Sequence, residues 1–186
     1  MLDTVNVRQK MSTRELTYIS MSIALISICS WISIPTAVPF TLQTFAIFMT
    51  IGVLGGKLGT LAILVYILFG SIGVPVFAGF TGGFGVLFGS TGGYLFGFIL
   101  ITLTYWLFTT MLGKKTWVMA TAMIIGMFLC YTFGTIWFMF LYAKTSGPIG
   151  LATTLGWCVF PFIIPDLIKI SLAIIIVKSV NRYVRL

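Results

Sequence analysis

Histidine is absent from this 186-residue chain, and only three carboxylates occur, Asp3, Glu15 and Asp166. The first absence removes the commonest metal ligand and general base, and a serine or cysteine triad cannot be assembled with no histidine and one buried acid. The three cysteines, Cys29, Cys130 and Cys158, lie scattered in apolar segments without paired spacing. They read as small core residues, implying neither a disulfide nor a metal site. A phosphate loop is also missing: GGKL and GKKT lack the glycine five residues before the GK glycine, so no ATPase motif is present. Charge of any sign is scarce, 8% of residues against 59% hydrophobic. The formal net charge of +8 comes from basic residues at the ends of hydrophobic runs. They form no patch or stripe, which excludes nucleic acid as a partner.

What is present is hydrophobic length. A mean hydropathy of +1.14 leaves too few polar residues to cover a soluble core, and the apolar runs are continuous rather than alternating, which argues against a β-barrel. The chain reads as an all-α integral membrane protein. Hydrocarbon about 30 Å thick needs about 20 helical residues per crossing, so six transmembrane helices are expected in one transmembrane domain spanning 1–186, at about 14–34, 40–55, 58–73, 89–111, 116–142 and 157–179. MLDTVNVRQKMSTREL resembles the start of a signal peptide, but the run after it is span-length and shows no small-residue cleavage pattern, so a retained first helix is expected. Cytoplasmic loops carry the excess of Lys and Arg. Placing both termini in the cytoplasm puts Arg8, Lys10, Arg14, Lys57, Lys114, Lys115, Lys178, Arg182 and Arg185 inside and only Lys144 in an outer loop.

That orientation places one acid and one base in the outer half of the membrane. Asp166 and Lys169 interrupt CVFPFIIPDLIKISLAIIIV at i and i+3, on one helix face. A charge well inside hydrocarbon costs about 2.5–3.5 kcal/mol on insertion scales, so the pair marks either a functional site or a salt bridge that neutralises itself. PFTLQTF brings Thr41, Gln43 and Thr44 to the outer start of the second helix, as ligand groups or as caps for backbone freed around Pro35 and Pro39. Between the third and fourth helices lies GVPVFAGFTGGFGVLFGSTGGY. Irregular backbone at membrane depth needs cover or a cavity, so this stretch is expected to fold back over something. Gly89, Gly93 and Gly97 suit helix packing, whereas Thr81, Gly82, Gly83 and Phe84 offer backbone N–H groups to a ligand. Phe84, Tyr94 and Trp157 are candidate apolar walls or interfacial anchors.

VPVFAGFTGGFGVLFGSTGGYLFGF, PFTLQTF and PFIIPDLIK together resemble the BioY family, biotin-specific substrate-binding subunits (S-components) of energy-coupling factor transporters. The resemblance covers the chain in length, helix count and motif order. It implies a six-helix bundle in a prokaryotic plasma membrane, surrounded by lipid, that captures biotin from outside and pairs with a shared transmembrane subunit and two ATPase subunits. No cofactor is implied, and biotin is cargo. Two positions depart from the family pattern: Ser90 stands where proline is usual, and Pro165 where glycine is usual. Asp166 is then expected to accept N–H groups of biotin's ureido ring, with Lys169, Gln43 or loop N–H groups taking the remaining acceptors. Ser20 and Ala24 match the small-residue stripe on the first helix that docks on the transmembrane subunit, or pack within the bundle. The competing function is a self-sufficient small secondary transporter or channel that uses Asp166 as a proton-coupled site. An intramembrane enzyme lacks both nucleophile and metal ligands.

Overall fold

The computed structural model describes residues 11–183; Asp3, Arg8, Lys10 and Arg185 of the reading above lie outside the described residues. Helix α1, Thr13–Trp31, starts on a capping box in which Ser12 Oγ accepts the Glu15 N–H and Glu15 accepts the Ser12 N–H. It stops at Trp31 rather than near Ile34, because Ser33–Ile34 (β1) pairs antiparallel with Phe40–Thr41 (β2) across the PTAVP turn.

Helix α2, Gln43–Ser71, is a hairpin of two limbs. Gly55 holds φ +77°, a conformation that costs glycine little and side-chain residues much. In an unbroken helix, positions 51 and 59 would lie about 12 Å apart; here a Cβ on Gly59 would sit 3.1 Å from Ile51 Cα. The chain therefore reverses at GGKLG, and Gln43 returns beside Tyr66, whose hydroxyl its amide reaches at 2.6 Å. After a short 3-10 turn at Ala78–Phe80 and the single-turn helix α3, Phe84–Leu87, come α4, Gly92–Leu112, and α5, Thr116–Thr145. The last two run antiparallel in close contact. A Cβ on Gly93 would lie 2.3 Å from Trp137 Cβ, and one on Gly97 would lie 2.5 Å from Cys130 Sγ. Gly89, read as part of the same stripe, precedes α4 and is crowded only by its own turn.

Gly147, at φ +96°, follows the end of α5, and an additional short helix, α6 (Leu151–Cys158), precedes α7 (Phe160–Val180). Pro165 stands inside α7 without interrupting it. By length and composition, Gln43–Ser71, Gly92–Leu112, Thr116–Thr145 and the combined stretch Leu151–Val180 are apolar enough to cross a membrane. Helix α1, which carries Arg14, Glu15 and four serines, is not among them.

Contacts between these rods define two ends of the bundle. At one end the Gly55 turn meets Lys114, and Asn181 reaches the Gly52 carbonyl at 3.3 Å. Arg14, Lys57, Lys114, Lys115, Lys178 and Arg182 belong to this end. At the other end Trp31 Nε1 donates to the Pro75 carbonyl at 2.8 Å, and Trp137 Nε1 donates to the Gly89 carbonyl at 3.0 Å. Lys144 is the basic side chain near that end outside the Asp166 cluster, among the described residues.

Candidate functional site

Within the second of these ends lies a cavity of about 360 Å³, a size typical of small-molecule sites. The segment 32–44, the glycine-rich segment after α2, and helices α4, α5 and α7 each contribute wall. Its inner surface is largely apolar, from Phe77, Leu95, Phe98 and Phe162. Asp166 and Lys169, 1% and 6% exposed, supply the charge.

The two ions form a salt bridge. Lys169 Nζ lies 2.8 Å from Asp166 Oδ1, closing the i,i+3 pair on α7. Lysine has three N–H donors, and the other two go to the Thr41 carbonyl at 2.7 Å and Thr44 Oγ1 at 3.0 Å. Its ammonium also sits 4.5 Å from the centre of the Phe40 ring, within cation–π range. Asp166 Oδ1 accepts from Thr44 as well, at 2.9 Å, and Oδ2 accepts from the Tyr131 hydroxyl at 2.6 Å. A carboxylate has about four lone-pair sites, so three donors leave room for one more, on Oδ2. Lysine is thus saturated by protein while the acid is not.

Gln43 is the second polar group with spare capacity. The Tyr66 hydroxyl donates to the Val76 carbonyl at 2.7 Å, so toward Gln43 it can only accept. That fixes Nε2 as the atom facing Tyr66 and leaves Oε1 and one N–H of this buried amide without a hydrogen-bond partner among the described residues. Thr41 Oγ1 accepts the Gln43 N–H at 3.2 Å, acting as a cap while lining the cavity.

The sequence-predicted residues separate into two groups. Asp166, Lys169, Gln43, Thr41, Thr81 and Tyr94 line the cavity. Gly82, Gly83, Phe84 and Trp157 do not line it. Gly82 packs so closely on the Val74 carbonyl that a Cβ would lie 2.4 Å away, and the Gly83 N–H is spent on the Gly70 carbonyl at 2.6 Å. Phe84 and Trp157 are exposed, the first stacked on Phe88 and the second edge-on to Tyr142. The glycine-rich segment does fold over a site, but with Phe77, Ala78, Thr81 and Val86 as its lining. Tyr131 escaped the sequence reading. It lies on α5, 35 residues before Asp166, and no local spacing connects them. On α1, Ser20 and Ala24 are both exposed, so this stripe faces outward rather than packing within the bundle.

Removing one member of a buried ion pair strands the other and costs about 3–5 kcal/mol, whereas removing both charges costs much less. Lys169→Met is therefore expected to lower the thermal unfolding midpoint in detergent sharply. Adding Asp166→Leu to it should recover most of that loss; a double variant no more stable than Lys169→Met would contradict the pairing.

The sequence model of the BioY family matches residues 5–186. Over 170 residues, 91% of this chain and 96% of the relative, the sequence is 42% identical to a biotin transporter BioY of Thermotoga maritima. It is 37% identical over 172 residues, 92% of this chain and 98% of the relative, to a probable biotin transporter BioY of Pyrococcus horikoshii. Among solved structures, the fold is similar to the S-component for biotin from an ECF-type ABC transporter, with a TM-score of 0.81 and 27% identity over 93% of this chain and 95% of that one. These relatives are transporters and a transporter component, not enzymes. This multi-pass membrane protein, matched by the family model along almost its whole length, belongs to the BioY family.

Proposed function

We propose that this chain is the substrate-binding subunit of an ATP-driven vitamin transporter. It captures biotin from the external side and passes it across the membrane in complex with a shared transmembrane subunit and two ATPase subunits. In this reading α1, the two limbs of α2, α4, α5 and α7 each cross the bilayer, with both termini in the cytoplasm. The charge distribution supports that orientation: six basic residues at the Gly55 end and Lys144 at the cavity end, among the described residues.

The observation that carries the proposal is a buried carboxylate, already neutralised by Lys169, that keeps acceptor capacity toward an apolar cavity. Biotin's ureido ring is neutral and offers two N–H donors and one acceptor. A ring N–H meets Asp166 Oδ2, Gln43 supplies a further acceptor and a donor, and the thioether ring lies against Phe98 and Phe162. Burying the bicycle against such walls gains roughly 25 cal/mol per Å² of apolar surface. The proton-coupled alternative fares worse. Asp166 is the sole acid lining the cavity among the described residues, and Lys169 with Thr44 and Tyr131 already occupies it.

The outward face of α1 at Ser20 and Ala24 is the proposed docking surface for the transmembrane subunit, since small side chains permit close helix approach.

Asp166→Asn, which replaces a carboxylate oxygen with an amide group, is expected to weaken biotin binding in detergent at least tenfold, about 1.4 kcal/mol. Titration calorimetry showing wild-type affinity in this variant would remove Asp166 from the ureido ring. For Ala24→Trp the opposite pattern is expected: unchanged biotin affinity, but reduced co-purification with the transmembrane and ATPase subunits. Normal assembly of the tryptophan variant would refute docking through α1.

A further inference from the structure

We infer that this cavity selects the ring system of its ligand and is indifferent to charge on the tail, so that uncharged carboxyl derivatives of biotin, primary amides first among them, belong to its ligand class. The inference rests on the biotin reading above and concerns the end of the ligand that Asp166 does not hold.

It follows from a count of donors. Lys169 is the one cationic side chain lining the cavity, among the described residues. Each of its N–H groups is already spent within the protein, on Asp166, Thr44 and the Thr41 carbonyl at 2.7–3.0 Å. To pair with a ligand carboxylate it must release one of these, and each release leaves a buried oxygen short of a donor. Lys144 on α5 is exposed and lies 4.1 Å from the Phe140 ring centre, outside the cavity lining. A ligand anion placed deep in the site would meet Asp166, itself anionic and 1% exposed, and would find no free counter-charge.

The exposed part of the cavity lining has different chemistry. Thr81 and Ser90 are exposed lining residues, and Thr91 is half-buried beside them. Their groups are neutral hydroxyls, which donate and accept alike and so can serve a carboxylate or an amide. With the ring held at Asp166, the tail points toward this hydroxyl-lined, solvent-reached part. Its charge stays partly hydrated there, and neutralising it sacrifices no protein ion pair.

The test compares biotin with biotinamide, whose primary amide has nearly the shape of the carboxylate, on the purified full chain prepared without biotin and titrated in detergent at neutral pH. The expected dissociation constants differ by less than tenfold. Tight biotin binding with a tenfold or greater loss for the amide overturns this inference alone, because it requires a cation committed to the tail. Failure of both compounds to bind overturns the biotin reading and this inference with it.

Discussion

The structure around the cavity depends on one ion pair. Asp166 and Lys169 stand 2.8 Å apart on α7, and together they reach three other elements: the backbone of β2 at Thr41, the first turn of α2 at Thr44, and the middle of α5 at Tyr131. An isolated charge at this depth is expensive, and a bare ion pair recovers only part of the cost. The additional hydrogen bonds recover the rest by drawing the three elements onto α7. The cavity is the space those elements enclose between them, so the same contacts that make the charges tolerable also shape the site. All three N–H groups of Lys169 are consequently engaged within the protein, by Asp166, Thr44 and the Thr41 carbonyl.

A second network holds the cover. The Val76 carbonyl accepts from Ser30 on α1 at 2.6 Å and from Tyr66 on α2 at 2.7 Å, and Gln43 closes the chain from the cavity side. Trp31 adds a hydrogen bond to the Pro75 carbonyl and stacks on Phe80 at 4.8 Å. Phe77 lies under this tied backbone with its ring against Gly70, where a Cβ would collide with it. The glycine-rich segment is therefore not a loose flap of free N–H groups. Its glycines serve close backbone packing, and its apolar side chains form the cavity roof.

Much of this was legible because the chain is so poor in charge. With three acids in 186 residues, Asp166 stood out without any structural information, and its spacing to Lys169 was local enough to read as a pair. The reversal at Gly55 was likewise visible in GGKLG, since three glycines and a lysine between apolar runs make a poor membrane-spanning helix. The polar first turn of α2 was readable from PFTLQTF. Tyr131 was hidden for the contrary reason: one aromatic in an apolar helix carries no mark, and its partner comes from a different rod. Phe84 and Trp157 were misplaced because an aromatic near a helix end is compatible with a cavity wall and with an outward anchor. Only the packing of α3 and α6 decides between these, and it turns both outward. The extra helix α6 was missed because the expected helices ended near 142 and resumed near 157, leaving 151–156 unassigned between them; its Thr154 is fully buried and bonds back to the Gly150 carbonyl.

Whether a carboxylate neutralised by its own lysine holds the ureido ring is decided by a structure of this chain with biotin bound. A ureido nitrogen is expected at about 2.7–3.2 Å from Asp166 Oδ2, with the Lys169–Asp166 pair intact and the ligand carboxylate beside Thr81 and Ser90. A ligand carboxylate paired with Lys169, with the ring at the opening and Asp166 released, would contradict it.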